Sequence, residues 1–561
     1  VIFEFVICLF MFLNAFIASI PILLVLVLMV ILKQPAIRAM FLGWLAVVVI
    51  AFTYWLMPLE WIAAATVNGI LMALDILILI FGALLLYHHL KLSGGIKTIT
   101  TGIVSLSADK RIQVGIAFLL IAVIEGIVGF GVPGVVVAPL LIIMGFTPII
   151  AACLVLFLNS APVSFGAIGI PIWGGIGSAL DSPGVIQELA GHNMTLQSWL
   201  NTDITLWTAV FQSIVAIFLP LIGVILLIKW SKGKIKDIKN VIPTLLIAGL
   251  SFAIPYFLLA RFIGPEFPSL IGGIIGLIIY CIMSKYDILE PKVVWNFPRA
   301  RKIKSLAKEK IQTKPTKSSY IMVIMPYILV VIILLITRII EPIRHFLSTV
   351  FIYQITNIFG TNISHIFRPF YNPGIVFIIV FLLYAIIFRL KIKHIAQTFK
   401  MTVKAVYPAA IALFSAIALS QIMINSGHNL SGLDSMLRTI AEAIALSTNH
   451  FYIFLAPFVG ALGAYMTGSA TVSNILFSGF QFEIATMVSI PRTMLLALQN
   501  VGGAIGNMIS VHNVIAVATV CGILGREGEI IKKNLLPMFL YAVFVGVLAF
   551  IFIFIMRISL F

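Results

Sequence analysis

The sequence predicts an all-α polytopic membrane protein made of two halves of opposite orientation, each carrying broken or re-entrant helices. Three observations lead there. Hydrophobic residues make up 61% of the 561, only 10% are charged, and the mean hydropathy is +1.17, whereas soluble chains are about half apolar. The apolar residues gather into stretches of roughly 20, the length an α-helix needs to cross a hydrocarbon core. Two further apolar stretches, at matching places in the two halves, are interrupted by Gly, Pro, Ser, Thr and Asn.

In chain order, residues 5–32, 39–57 and 62–90 read as simple spans, followed by an interrupted module at 113–180 and by spans at 204–228, 241–262 and 269–284. These form a first half, 1–284. A basic connection at 285–319 leads to the second half, 320–561, with spans at 320–340, 372–388, 405–424 and 535–560 and an interrupted module at 451–525. Lipid offers backbone groups no hydrogen bonds, and the segments lack the alternation of about ten residues that marks a membrane barrel, so they are expected to be helices. Val1 opens directly into apolar sequence without a basic flank, which predicts a retained helix rather than a signal peptide, with the natural start of the chain lying elsewhere.

The formal charge of +17 would suggest a nucleic-acid partner in a soluble protein; here it reads as topology. If the first span runs from outside to inside, 29 of the 36 Lys and Arg fall in the inside segments 33–38, 91–111, 229–239, 285–317, 389–404 and 526–533, as positive-inside bias requires. On that count the first module begins inside and the second begins outside. Inverted halves with discontinuous helices at matching positions point to a secondary transporter whose site lies near mid-membrane between the modules.

The breaks are expected at Gly129, Gly131 and Gly134, with a second break opening at Asn159, and at Gly468 and Ser469, with a second opening at Asn500. Exposed helix N-termini there would offer N–H groups and partial positive charge to a carboxylate. Thr467, Gly468, Ser469, Thr471, Ser473 and Asn474 form one cluster of donors, Gly131, Asn159, Ser160 and Ser164 another, and Gln499, Asn500, Asn507 and Ser510 extend the set. The competing reading is capping and interhelical hydrogen bonding. Ionisable residues at apolar depth are functional candidates by default. Glu125 could carry a proton with the solute or serve the freed backbone of Gly129 and Gly131. Asp75 could couple protons or pair with a neighbouring helix. His512 could titrate or act as a neutral donor. Arg492 could pair with a solute carboxylate or reach an interface.

Gly129, Gly131 and Gly134 formally match GxGxxG, but no strand precedes them and the match is rejected. No HExxH and no GxxxxGK[ST] occurs, Cys8, Cys153, Cys281 and Cys521 lack paired spacing, and neither metal nor cofactor is expected.

Several strings resemble the bacterial lactate permease family: EGIVGFGVPG from Glu125 to Gly134, GFTPIIAACLVLFLNSAPVSFGAIGIPI from Gly145 to Ile172, and SFAIPYFLLARFIGPEFP from Ser251 to Pro268. In the second half the resemblance lies in LGAYMTGSATVSNILFSGFQF from Leu462 to Phe482, GGAIGNMISVHNV from Gly502 to Val514, and GREG from Gly525 to Gly528. It covers nearly the whole chain. It implies import of L-lactate, glycolate or D-lactate by proton symport across a bacterial or archaeal cytoplasmic membrane, and an elevator movement against a homodimeric scaffold. Two positions depart from the family's expected pattern: Ala470, where Asp or Asn is expected, and Asn507, where Lys is expected. The alternatives are a sodium-coupled carrier of another small carboxylate, a passive channel and a membrane-embedded enzyme, the last lacking a recognisable nucleophile and base.

Overall fold

The computed structural model describes residues 2–558 apart from 33, 96–106, 130, 287, 289, 290, 292, 293, 298–324, 327, 331, 335, 338, 339 and 351. Most of the basic connection 285–319, and parts of the expected span 320–340, lie outside the described residues. Among the described residues ten helical runs are long and apolar enough to cross a membrane, as a multi-pass membrane protein requires.

The first half opens with α1 (Ile2–Leu26), α2 (Ala36–Thr53) and α3 (Leu59–Leu92). The interrupted module follows as α4 (Lys110–Ile127), α5 (Val132–Ile143) and α6 (Pro148–Leu158), then an irregular segment, then the short α7 (Pro183–Gly191). Three long helices complete it: α8 (Thr205–Trp230), α9 (Ile242–Phe262) and α10 (Pro268–Lys285). Proline opens α6, α7 and α10, where its missing N–H costs nothing and its φ suits a first turn.

The second half contains α11 (Glu341–Thr349), α12 (Pro373–Ile387), α13 (Ile392–Asn425) and α14 (Met436–Thr448). Its module is α15 (Tyr452–Thr467), α16 (Ala470–Met487), α17 (Arg492–Gly506) and α18 (Val511–Val520), and α19 (Glu527–Phe550) closes it. The described residues are mostly helical, in keeping with an all-α class, and one short non-helical element stands beside the helices. A two-stranded antiparallel ribbon, β1 (Tyr353–Ile355) with β2 (His365–Phe367), follows α11. Its first strand is exposed along its length, and unpaired strand edges are tolerated only away from hydrocarbon.

Glycine sets how closely the long helices approach. A Cβ at Gly69 of α3 would lie 2.6 Å from the backbone of Ala418 in α13, and one at Gly82 would lie 2.4 Å from the carbonyl oxygen of Gly374 in α12. Such contacts let backbones pack where lipid supplies no hydrophobic drive for association.

Each module contains a pair of helices folded back on each other. In the first, the Lys110 ammonium at the start of α4 donates to the Met144 carbonyl just past α5, at 2.5 Å. In the second, Ser473 of α16 donates to Gly460 O of α15 at 2.7 Å, and Tyr452 OH donates to Gln481 at 2.9 Å. The start of α4 sits by a buried Asp109–Arg111 ion pair, whose carboxylate also accepts from Trp295 N at 2.9 Å. The end of α16 sits by Arg492, which pairs with Glu188 of α7 and donates to Thr486.

Candidate functional site

The turns of the two folded-back pairs both abut the start of α18. Gly131 caps α5 at φ 75° and Gly468 ends α15 at φ 77°, a left-handed conformation that glycine adopts without steric cost. A Cβ at Gly131 would lie 2.6 Å from Asn513 Oδ1 on α18, and one at Gly468 would lie 2.8 Å from the His512 Cβ. The turn of the first pair thus touches the broken span of the second module.

The broken spans supply the rest. After α6 ends with Asn159 as its cap, the chain passes through a 3₁₀ turn (Pro162–Phe165) and a reversed turn in which Ala167, Ile168 and Gly169 have φ of 44°, 56° and 75°. A left-handed conformation costs a non-glycine residue about 1–2 kcal/mol, and more for a branched one such as Ile168. The surroundings hold it: Ser269 of α10 donates to Pro162 O at 2.6 Å, Tyr256 of α9 donates to Ala161 O at 3.2 Å, and Gly169 packs against Pro265. In the second module α17 ends at Gly506, Asn507 caps it, and α18 starts after Ser510.

Between the two turns lies a cavity of about 30 Å³, lined by Glu125, Gly131, Asn159, Gly468, Ser469, Thr471 and Asn507, together with Asn513 and the backbone around Gly129, Gly166 and Ala470. That is the space of roughly one water, so a larger solute needs the turns to part. Glu125 is 3% exposed and accepts a 3.0 Å hydrogen bond from Asn159. Glu125 is the one ionisable side chain among the described residues that line the cavity. At the start of α16, Ser469 caps the N–H of Val472. Helix geometry leaves the N–H groups of Ala470 and Thr471 without intrahelical acceptors. The N-termini of α5 and α16 and the C-termini of α6 and α17 therefore all end at this cavity.

Of the residues singled out in the sequence, the structure brings Glu125, Gly131, Asn159, Gly468, Ser469, Thr471 and Asn507 to the cavity and places the other candidate donors and ionisable residues elsewhere. Thr467 bonds the backbone of its own turn. Ser164 accepts from Gln212 at 2.6 Å. Asn474 donates to Pro171 O and Asn500 Oδ1, both at 2.9 Å, and Asn500 donates to Ser164 O at 3.2 Å. The bonds to Pro171 O and Ser164 O satisfy carbonyls of the irregular segment that follows Asn159. His512 packs behind Gly468. Asp75 of α3 pairs with His365 of the ribbon at 3.3 Å. The expected break at Asn500 needs correction, since α17 runs unbroken through it to Gly506. Gly502 and Gly506 serve close packing instead, a Cβ on either lying 2.2 or 2.3 Å from a backbone oxygen of α15.

Asn513 went unrecognised in the sequence. It donates to Asn507 Oδ1 at 2.7 Å and to Gly468 O at 3.3 Å, so it ties the second turn to the broken span. A larger cleft of about 470 Å³, between α7, α14 and the end of α16, is lined by Glu188, Arg438, Glu483 and Arg492, so the sequence candidate Arg492 lies here, paired with Glu188.

Comparison with known proteins gives a consistent picture. The family described as L-lactate permease matches residues 14–556. A Haemophilus influenzae protein provisionally named L-lactate permease is 30% identical, over 94% of this chain and 97% of its own length. The glycolate permease GlcA of Escherichia coli and the L-lactate permease of Salmonella typhimurium are each 27% identical, over 96% of this chain and 95% of theirs.

Proposed function

The chain belongs to the L-lactate permease family, and on that premise we propose that it is a secondary active transporter importing L-lactate or a close relative such as glycolate by proton symport. The carboxylate lies in the cavity between the two turns, facing the N-termini of α5 and α16, where backbone N–H groups of Ala470 and Thr471 and the hydroxyls of Ser469 and Thr471 supply neutral donors.

One observation carries the coupling: among the described residues that line it, the cavity holds an acid and no base. Its ionisable lining residue is Glu125. A second carboxylate entering beside a carboxylate in a narrow, largely buried cavity is strongly repelled, and protonation of Glu125 removes the repulsion. Anion and proton therefore load together. Asp75 and His512 are assigned no part in this step, since neither lines the cavity.

The reading also takes the two modules as inverted copies. α4 starts beside the inside segments that carry Asp237 and Trp295, whereas α15 and α16 start and end on the side of Glu188 and Arg492. The half-helices α6 and α17 then approach the cavity from opposite sides, each capped by an asparagine. The module carrying both turns moves across the membrane against α3 and α13 as an elevator, in a homodimer.

Sodium coupling is the second reading, favoured by the acceptors that crowd the same cavity, including Asn159 and Asn507. Uptake of radiolabelled lactate and glycolate into liposomes holding the purified protein, with pH and Na⁺ gradients imposed separately, decides between them. The proposal expects accumulation driven by an acidic exterior at zero Na⁺ gradient. Accumulation that follows the Na⁺ gradient alone would replace protons with sodium.

A further inference from the structure

We propose that Asn513, with Asn159 beside it, reads the 2-hydroxyl of the solute, so that the cavity accepts 2-hydroxy acids and rejects the unsubstituted and 2-oxo acids of the same length. This rests on the cavity being the solute site. Asn513 is 4% exposed and Asn159 8% exposed, and both line the cavity. The Asn513 amide nitrogen donates to Gly468 O at 3.3 Å and to Asn507 Oδ1 at 2.7 Å. A backbone carbonyl can only accept, so the orientation of that amide is fixed. Its Oδ1 is left buried with no donor among the described residues, beside Gly131 at the first turn. Asn159 spends its nitrogen on Glu125 at 3.0 Å, and its Oδ1 is likewise buried without a donor.

Buried acceptors of this kind are satisfied in working proteins, by water or by a ligand, and in the loaded cavity the solute hydroxyl is the group that supplies the donor. A carboxylate brings only acceptors and is served by the helix N-termini. A 2-hydroxyl brings a donor. Its single proton meets Asn513 Oδ1, whereas a 2-oxo group would set a further acceptor against two already unmet and a methylene would leave both unmet.

The test is competition against radiolabelled L-lactate uptake in liposomes holding the full-length protein, with glycolate, propionate and pyruvate as competitors. Glycolate should compete about as well as lactate, while propionate and pyruvate should need on the order of 100-fold more, since a site built to bond a hydroxyl rejects its analogues strongly. In Asn513→Leu the preference for lactate over propionate should shrink about 10-fold or more through weaker lactate binding, with propionate inhibition unchanged. Equal competition by propionate or pyruvate at the wild-type protein overturns the assignment without any variant. So does an unchanged preference in Asn513→Leu, or a Na⁺ enhancement of lactate affinity that the variant abolishes. Wild-type protein that takes up none of the hydroxy acids overturns the transport reading beneath it, whereas uptake without discrimination overturns the hydroxyl assignment alone.

Discussion

Gly131 joins two constraints at one atom. Its φ of 75° disfavours any side chain, and a methyl there would stand 2.6 Å from Asn513 Oδ1. Gly131→Ala should cost about 1–2 kcal/mol of stability from the backbone alone, little enough to leave the protein folded. It should also push Asn513 out of register and raise the lactate KM at least about tenfold, the effect of roughly 1.4 kcal/mol. Thermal unfolding in detergent and uptake kinetics check the two parts, and unchanged uptake would separate Gly131 from the site. Gly131 and Glu125 were legible in the sequence because a glycine-rich break and an acid are both anomalous at apolar depth. Asn513 was not. It lies one residue from His512 on the first turn of α18, and only the direction of that helix decides that the amide faces the cavity while the imidazole packs behind Gly468.

At the scale of helices the same residue type has two meanings. Gly502 and Gly506 of α17 let α15 approach, a Cβ on Gly502 meeting Pro457 O at 2.2 Å and one on Gly506 meeting Ala461 O at 2.3 Å. Because both obstacles are backbone, Gly502→Ala has to move a whole helix, and about 1–3 kcal/mol of destabilisation is expected. A lower melting temperature in detergent checks this, and a melting curve like that of the unsubstituted protein would contradict the packing account. This ambiguity explains why the sequence suggested a break at Asn500 that is not there. Glycine alone marks either a break or a close contact. The break after Asn159 also has Pro162 and Pro171, each removing a backbone donor, and there the sequence pattern and the structure agree. Among the described residues the simple spans were legible to within a few residues, except α13 and α19, whose first turns carry Lys393, Lys400 and Lys404, and Glu527, Glu529, Lys532 and Lys533, and so look like loop by composition. The ribbon of β1 and β2 was invisible to a search for apolar runs because it is three residues long on each side.

Across the whole molecule, charge and backbone break divide the work. Basic residues gather in the connections between spans, and at one of these Asp109 and Arg111 form a buried pair at 2.6 Å and join Trp295 to the start of α4. The cavity between the turns is nearly free of charge, and its one carboxyl, Glu125, is held by Asn159 on the neighbouring half-helix. An anion carrier with no lysine or arginine lining its described cavity needs some other means of balancing its cargo, and the proposed symport assigns that role to a proton on Glu125. The measurement that bears most directly on this is lactate transport by Glu125→Gln in liposomes, comparing accumulation driven by an acidic exterior with exchange of labelled for unlabelled lactate at equal pH. The neutral amide mimics the protonated acid, so exchange should persist while pH-driven accumulation disappears. Accumulation equal to that of the unsubstituted protein under the same pH gradient would contradict the account.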